Sequence, residues 1–124
     1  MSRDVLIIDD SEGVRILLEL LLRAACPDLG SCHHAESGTE ALSLLASGAQ
    51  VGLILTDLHM PGMSGRELIQ NIRSRAQGGT IPIAVVSADQ GRPTREELTE
   101  LGAFAFISKP VSTDAVQSLV RKWL

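Results

Sequence analysis

Short apolar runs, mostly rich in Val and Ile, alternate along the chain with longer stretches whose apolar positions recur at helical spacing. The first run, Asp4 to Ile8, leads into Glu12 to Ala25, where Val14, Leu17, Leu18, Leu21 and Leu22 line one stripe and Pro27 stops the helix. A weaker strand is expected from Ser31 to Ala35, then a helix from Gly38 to Ala46 opened by Ser37-Gly-Thr-Glu40, the spacing of a capping box. Val51 to Thr56 is apolar on both faces, as a central parallel strand should be. Ser64-Gly-Arg-Glu67 repeats the capping-box spacing and opens a helix to about Arg75, with Leu68, Ile69 and Ile72 as its buried stripe, before Gly78-Gly79 turns the chain. Ile83 to Val86 reads as a fourth strand, Thr94-Arg-Glu-Glu97 as the cap of a short helix ending before Gly102, and Ala103 to Ile107 as a fifth strand. A last helix from about Thr113 carries Val116, Leu119, Val120 and Trp123. Five βα units in succession predict an α/β domain built on a parallel sheet.

Chain length changes this picture little: 124 residues suit one domain, spanning 1–124, able to bury roughly two thirds of its unfolded surface. The apolar fraction of 44% supports a core, but two Phe and one Trp leave aliphatic side chains to supply most of the burial energy. A formal net charge of −4 with scattered Lys and Arg argues against direct nucleic-acid binding, which needs a basic face. Cys26 and Cys32 lack the further ligands of a zinc site or the numbers of a disulfide framework, which fits a reducing cytoplasm. The apolar start is too short for a signal peptide, and Ile16 to Ala25, interrupted by Glu19 and Arg23, is too short to insert in a membrane.

Polar residues close the apolar runs: Asp9 and Asp10 the first, Asp57 the third and Ser87 the fourth, with Lys109 just beyond the fifth. In a parallel sheet these ends share one edge, where open α/β sheets hold ligands. Singly, each is an ordinary turn, cap or loop residue. Together they place carboxylates where, at an effective dielectric of about 20, each pair 4 Å apart costs roughly 4 kcal/mol. Lys109 offsets one charge, and a divalent cation would cancel the remainder; all-oxygen donors favour Mg²⁺, with Mn²⁺ possible.

Asp9-Asp10, Asp57-Leu-His-Met-Pro-Gly-Met-Ser-Gly65, Ser87-Ala88 and Phe106-Ile-Ser-Lys109-Pro110 closely resemble the receiver domain of two-component (phosphorelay) response regulators. The resemblance covers essentially the whole chain and is similar to the stand-alone, chemotaxis-type receivers. It implies a doubly wound five-stranded sheet of order 2-1-3-4-5, the flavodoxin-like (βα)5 arrangement of which a receiver is itself a type example. It implies further that Asp57 accepts phosphate from a histidine kinase or histidine phosphotransfer protein. Asp9, Asp10, Asp57 and the backbone carbonyl of His59 would then hold Mg²⁺, Lys109 and Ser87 would bind phosphoryl oxygens, and Pro110 would follow a cis peptide. Ser87 and Phe106 would act as the switch that alters the surface of the fourth helix, fifth strand and fifth helix for an unknown protein target. Phe106 has no hydroxyl for an outer hydrogen bond, which leaves its switching to packing. His59 and Asp89 fall where access to the phosphoryl group is controlled; facing each other, they would restrict the attacking water. His33 and His34, in the weak second strand, read as structural or exposed. A stand-alone receiver is favoured over an excised N-terminal domain, with a phosphorylation-dependent dimer left open.

Two other functions share parts of this pattern. A Mg²⁺-dependent phosphatase that forms an aspartyl phosphate would need a second acid two residues after the nucleophile, where this chain has His59, and a cap over its substrate. A flavin binder on the same fold is opposed by scarce aromatics and by carboxylates where a phosphate would lie. The chain is therefore expected to be a signalling phosphoacceptor that assists its own phosphorylation and dephosphorylation, rather than an enzyme.

Overall fold

A computed structural model describes residues 2–75, 79–88 and 92–124, the first two residues of the last segment by backbone alone. Gly78 and Asp89 therefore lie outside the described residues. The elements run β1 (Val5–Ile8), α1 (Glu12–Ala25), β2 (Cys32–Ala35), α2 (Gly38–Ala46), β3 (Leu53–Thr56), α3 (Gly65–Arg73), β4 (Ile83–Ser87), α4 (Arg92–Leu101), β5 (Ala105–Ser108) and α5 (Thr113–Trp123). All strands are parallel, in the order β2-β1-β3-β4-β5. The doubly wound arrangement expected from the sequence is the one found.

Alternation along the strands sorts the core into two faces. Leu6, Ile8, Ile54, Ile83 and Val85 pack with Leu45 of α2, Leu68, Ile69 and Ile72 of α3 and Leu98 of α4. Val5, Ile7, Leu53, Leu55, Ala84 and Val86 pack with Leu18 and Leu22 of α1 and with Val116, Leu119, Val120 and Trp123 of α5. Every residue of β1, β3 and β4 is buried, which is why those strands read as unbroken apolar runs. In α1 the expected stripe is only partly inside: Leu18 and Leu22 are buried, whereas Leu17 is 41% exposed and lies beside exposed Ile16 and Leu20.

Several boundaries move, each for a local reason. β3 starts at Leu53, because Val51 and Gly52 belong to the approach, where the Gly52 N–H donates to Asp4 O and an added Cβ would lie 2.0 Å from Ser2 O. β5 starts at Ala105, because Gly102, at φ +107°, and Ala103 are taken up in ending α4, their N–H groups donating to Thr99 O and Leu98 O. Thr94 does not cap α4. That helix begins at Arg92, so Pro93 falls in the first turn, where a missing N–H is not needed. At α3 the capping box forms in full; at α2 only the Ser37 half is present, its Oγ accepting from the Glu40 N–H at 3.1 Å.

His33 and His34 sit half-buried on the edge strand with acidic neighbours, His34 Nε2 lying 2.6 Å from Glu19 Oε1 and His33 Nε2 3.8 Å from Asp4 Oδ2. The His34 and Arg23 hydrogen bonds hold the Glu19 carboxyl below its ordinary pKa.

Trp123 closes the far end of the sheet: its ring is buried and its Nε1 donates to Gly52 O at 3.0 Å. Replacing Trp123 with Phe keeps most of the burial but orphans that carbonyl, so unfolding in urea followed by circular dichroism should show a loss of about 1–3 kcal/mol. A wild-type midpoint would mean that the tie contributes nothing.

Candidate functional site

Strand register assembles the site. Ile8 pairs with Thr56, and the Asp57 N–H donates to Ile8 O at 3.0 Å, so Asp9 and Asp57 leave the sheet side by side. Ser87 pairs with Ser108 at the end of β5, and the Lys109 N–H donates to Ser87 O at 3.1 Å, which brings Lys109 to the same edge. The Lys109–Pro110 peptide is cis, as expected.

The side chains then meet. Lys109 Nζ lies 2.9 Å from Asp9 Oδ2 and 3.1 Å from Asp57 Oδ2, bridging two carboxylates that are almost wholly removed from water. Their other oxygens are held by backbone: Asp9 Oδ1 accepts from the Ser11 N–H at 2.9 Å, and Asp57 Oδ1 from the Leu58 N–H at 2.7 Å. The His59 N–H is more distant from the same oxygen, at 3.5 Å. Asp10 completes the group from an exposed position, and one oxygen from each of Asp9, Asp10 and Asp57 falls within 4.8 Å of the others. Ser87 ends β4 with 1% exposure.

Burial alone would lower the Lys109 pKa, but the hydrogen bonds to Asp9 and Asp57 outweigh it, and the ammonium titrates above its ordinary value. Its folded-state pKa being raised, the bridge stabilises the fold fully below the unfolded-state value, near 10.4, and the gain is lost only as pH rises through the folded-state value. The charge is thus in place throughout the neutral range.

Two net negative charges remain after Lys109 is counted against the three carboxylates. Oxygen donors only, a part-open position at Asp10 and an excess of negative charge suit a hard divalent cation, and these residues fit Mg²⁺.

Of the residues singled out in the sequence, Asp9, Asp10, Asp57 and Lys109 come together as expected, and Ser87 shares their edge. His59 is exposed beside Asp57; its proposed partner Asp89 is outside the described residues. Phe106 is half-buried in β5, with the Arg95 guanidinium 5.3 Å from the centre of its ring. Gly65 had no assigned role, yet an added Cβ there would lie 2.3 Å from Asp57 O, so the chain folds back over the site only with glycine. A glycine at the first position of a capped helix, where most residues serve, was the available signal.

Comparison with known proteins agrees with this geometry. Residues 5–121 match the family model described as the response regulator receiver domain. The chemotaxis protein CheY of Pseudomonas aeruginosa is 32% identical over 95% of this chain and 93% of its own. The solved chemotaxis response regulator CheY4 of Vibrio cholerae superposes with TM-score 0.86 at 26% identity, covering 100% of both chains. The receiver domain of the sensor histidine kinase PA1611 from P. aeruginosa, solved with a magnesium ion coordinated in its active-site cleft, shares the fold with TM-score 0.82 at 21% identity, over 99% of this chain and 98% of its own. The chain belongs to the response regulator receiver domain family of two-component signalling, whose members act as phosphoacceptors in exchange with histidine kinases or phosphotransfer proteins. Among the described residues, no helix is long and apolar enough to cross a membrane.

Crowding of carboxylates predicts a stability cost. Without divalent cations, Asp10→Asn should raise the melting temperature by about 3 °C, the equivalent of roughly 1 kcal/mol of relieved repulsion in a chain of this size. Thermal scans in chelator test this; a lower melting temperature would mean that Asp10 is held by attractions rather than crowded.

Proposed function

We propose that Asp57 accepts a phosphoryl group from a phosphohistidine on a kinase or phosphotransfer protein, and that the change is read by a protein target at the surface of α4, β5 and α5. The observation that carries this reading is Lys109 Nζ, poised within hydrogen-bond distance of both Asp57 and Asp9. An Asp57 oxygen attacks phosphorus while the bond from phosphorus to the donor imidazole nitrogen breaks, the electron pair leaving with the imidazole. The product is an acyl phosphate. Because such transfer is mainly positioning and charge neutralisation, the protein needs few parts. The Leu58 N–H fixes one Asp57 oxygen, Lys109 passes from the carboxylate to a phosphoryl oxygen, and the Ser87 hydroxyl binds another.

Asp9, Asp10, Asp57 and the His59 backbone carbonyl would hold Mg²⁺, or Mn²⁺, which when bound neutralises charge on the carboxylates and phosphoryl oxygens. The receiver of PA1611, described with magnesium in its cleft, supports the choice of metal. Exposed His59, with Asp89, would govern access of the attacking water. On this reading residues 1–124 act as one cytoplasmic receiver that assists its own phosphorylation and dephosphorylation without being a turnover enzyme.

Transmission follows from packing. Ser87, drawn toward the phosphoryl group, carries its loop inward and makes room for Phe106 to rotate from its half-exposed position. Phe106 borders a groove of about 440 Å³ between α4 and α5, floored by Phe104 and Leu119, so its rotation reshapes a surface a partner can read. Exposed Ile16, Leu17 and Leu20 on α1 give a separate apolar patch suited to a protein phosphodonor.

Incubation with a small acyl phosphate and Mg²⁺ should add one phosphoryl group to the wild type, as read by intact mass, and none to Asp57→Asn; chelator should abolish the addition. Equal labelling of the variant would refute the acceptor assignment. Lys109→Ala should still accept some phosphate yet lose the coupling, so amide exchange across α4 and β5 should respond to a phosphate mimic in wild type and much less in the variant. An undiminished response would sink the transmission scheme.

A further inference from the structure

Two of the three clustered carboxylates are held through their own oxygens: Asp9 by the Ser11 N–H and Lys109, Asp57 by the Leu58 N–H and Lys109. Asp10 differs. It is exposed, and among the described residues its carboxylate makes no hydrogen bond or ion pair, so what the fold fixes for it is the backbone from which its Cα–Cβ bond projects. The peptide plane that joins it to Asp9 is gripped at the Asp9 carbonyl oxygen, which accepts from Arg15 Nη1 at 2.6 Å. The Asp9 N–H, on the preceding plane, is held by Ala35 O at 3.1 Å.

Arg15 makes this bond at its own expense. Its Nε is buried without a hydrogen-bond partner, alone in this among side-chain nitrogens and oxygens of the described residues. The guanidinium is thus committed to a backbone carbonyl beside the acidic cluster, an arrangement that orients the chain more than it neutralises the acids.

We infer that Arg15 is a positioning residue for the divalent-cation site: by locking the Asp9–Asp10 peptide plane it helps aim the one carboxylate of the three that, among the described residues, makes no hydrogen bond or ion pair of its own. The inference rests on reading the acidic cluster as a Mg²⁺ site. Its sign is distinctive, because the charge of Arg15 opposes cation binding while the clamp favours it. Removing Arg15 strengthens Mg²⁺ binding if charge is its only influence and weakens it if orientation dominates.

The test is calorimetric titration of Mg²⁺ into the full chain, for wild type, Arg15→Met, Arg15→Lys, Asp10→Ala and the double variant Arg15→Met with Asp10→Ala. Arg15→Met should bind Mg²⁺ roughly ten-fold more weakly, the usual scale for losing a group that orients a ligand. Arg15→Lys should recover part of the loss through its single donor. The double variant should bind no more weakly than Asp10→Ala alone, because the clamp acts through Asp10. Melting in chelator reports whether each variant folds; should Arg15→Met fail to fold, Arg15→Gln, which keeps a donor and drops the charge, takes its place and should bind at least as tightly as Arg15→Lys. Affinity equal to or above wild type in Arg15→Met, weaker binding by Arg15→Gln than by Arg15→Lys, or the same ten-fold loss in the Asp10→Ala background would overturn the inference. Absence of Mg²⁺ binding by the wild type, or no effect of Asp10→Ala alone, would overturn the metal reading and this inference with it.

Discussion

Everything at the working edge depends on one ammonium placed between two buried carboxylates. Lys109 Nζ, 2.9 Å from Asp9 and 3.1 Å from Asp57, lets the fold gather negative charge at strand ends that would otherwise repel. It does so incompletely, leaving two net negative charges and an exposed Asp10. A site satisfied by its own protein would have no call for a cation or a phosphoryl group. The shortfall is what suits this one to a divalent cation.

The sheet makes that placement reproducible. Asp9 and Asp57 leave adjacent, fully buried strands in register, while Lys109 arrives from a strand two positions away and is tied by its backbone to Ser87. Asp57, proposed as the acceptor, and the residues proposed to sense it therefore sit on or directly beside buried strands, which limits geometric error at the site. The half-exposed parts, Phe106 and the groove beside α5, lie on the edge strand and its flanking helices, where a change costs least. Rigidity at the centre and compliance at the edge are what a phosphorylation switch requires.

Glycine and arginine do much of the unadvertised work. Gly65 lets the segment after Asp57 fold back against its carbonyl. Arg73, on the opposite end of α3 from the site, donates to the carbonyls of Gly79, Ile81 and Gly102, and so ties α3 to the start of β4 and the end of α4. Burial lowers its pKa, but its guanidinium is satisfied by carbonyls alone. Neither residue has a role that its sequence position assigns, and each matters through what the fold brings near it.

Sequence by itself determined the element order, the parallel sheet and the identities of Asp9, Asp10, Asp57, Ser87 and Lys109 as candidates, because burial on both sheet faces leaves unbroken apolar runs and polar residues stand out where those runs end. It misjudged boundaries where capping outweighed hydrophobicity: the end of α4 consumes Ala103, an apolar residue that read as strand, and α4 begins before Thr94. It also placed Leu17 inside, since helical period cannot tell the edge of a buried stripe from its centre. Only tertiary structure decided that Lys109 bridges Asp9 and Asp57, that Gly65 is a steric necessity and that Arg15 grips the Asp9 carbonyl, because each is a distance between groups that local pattern does not encode.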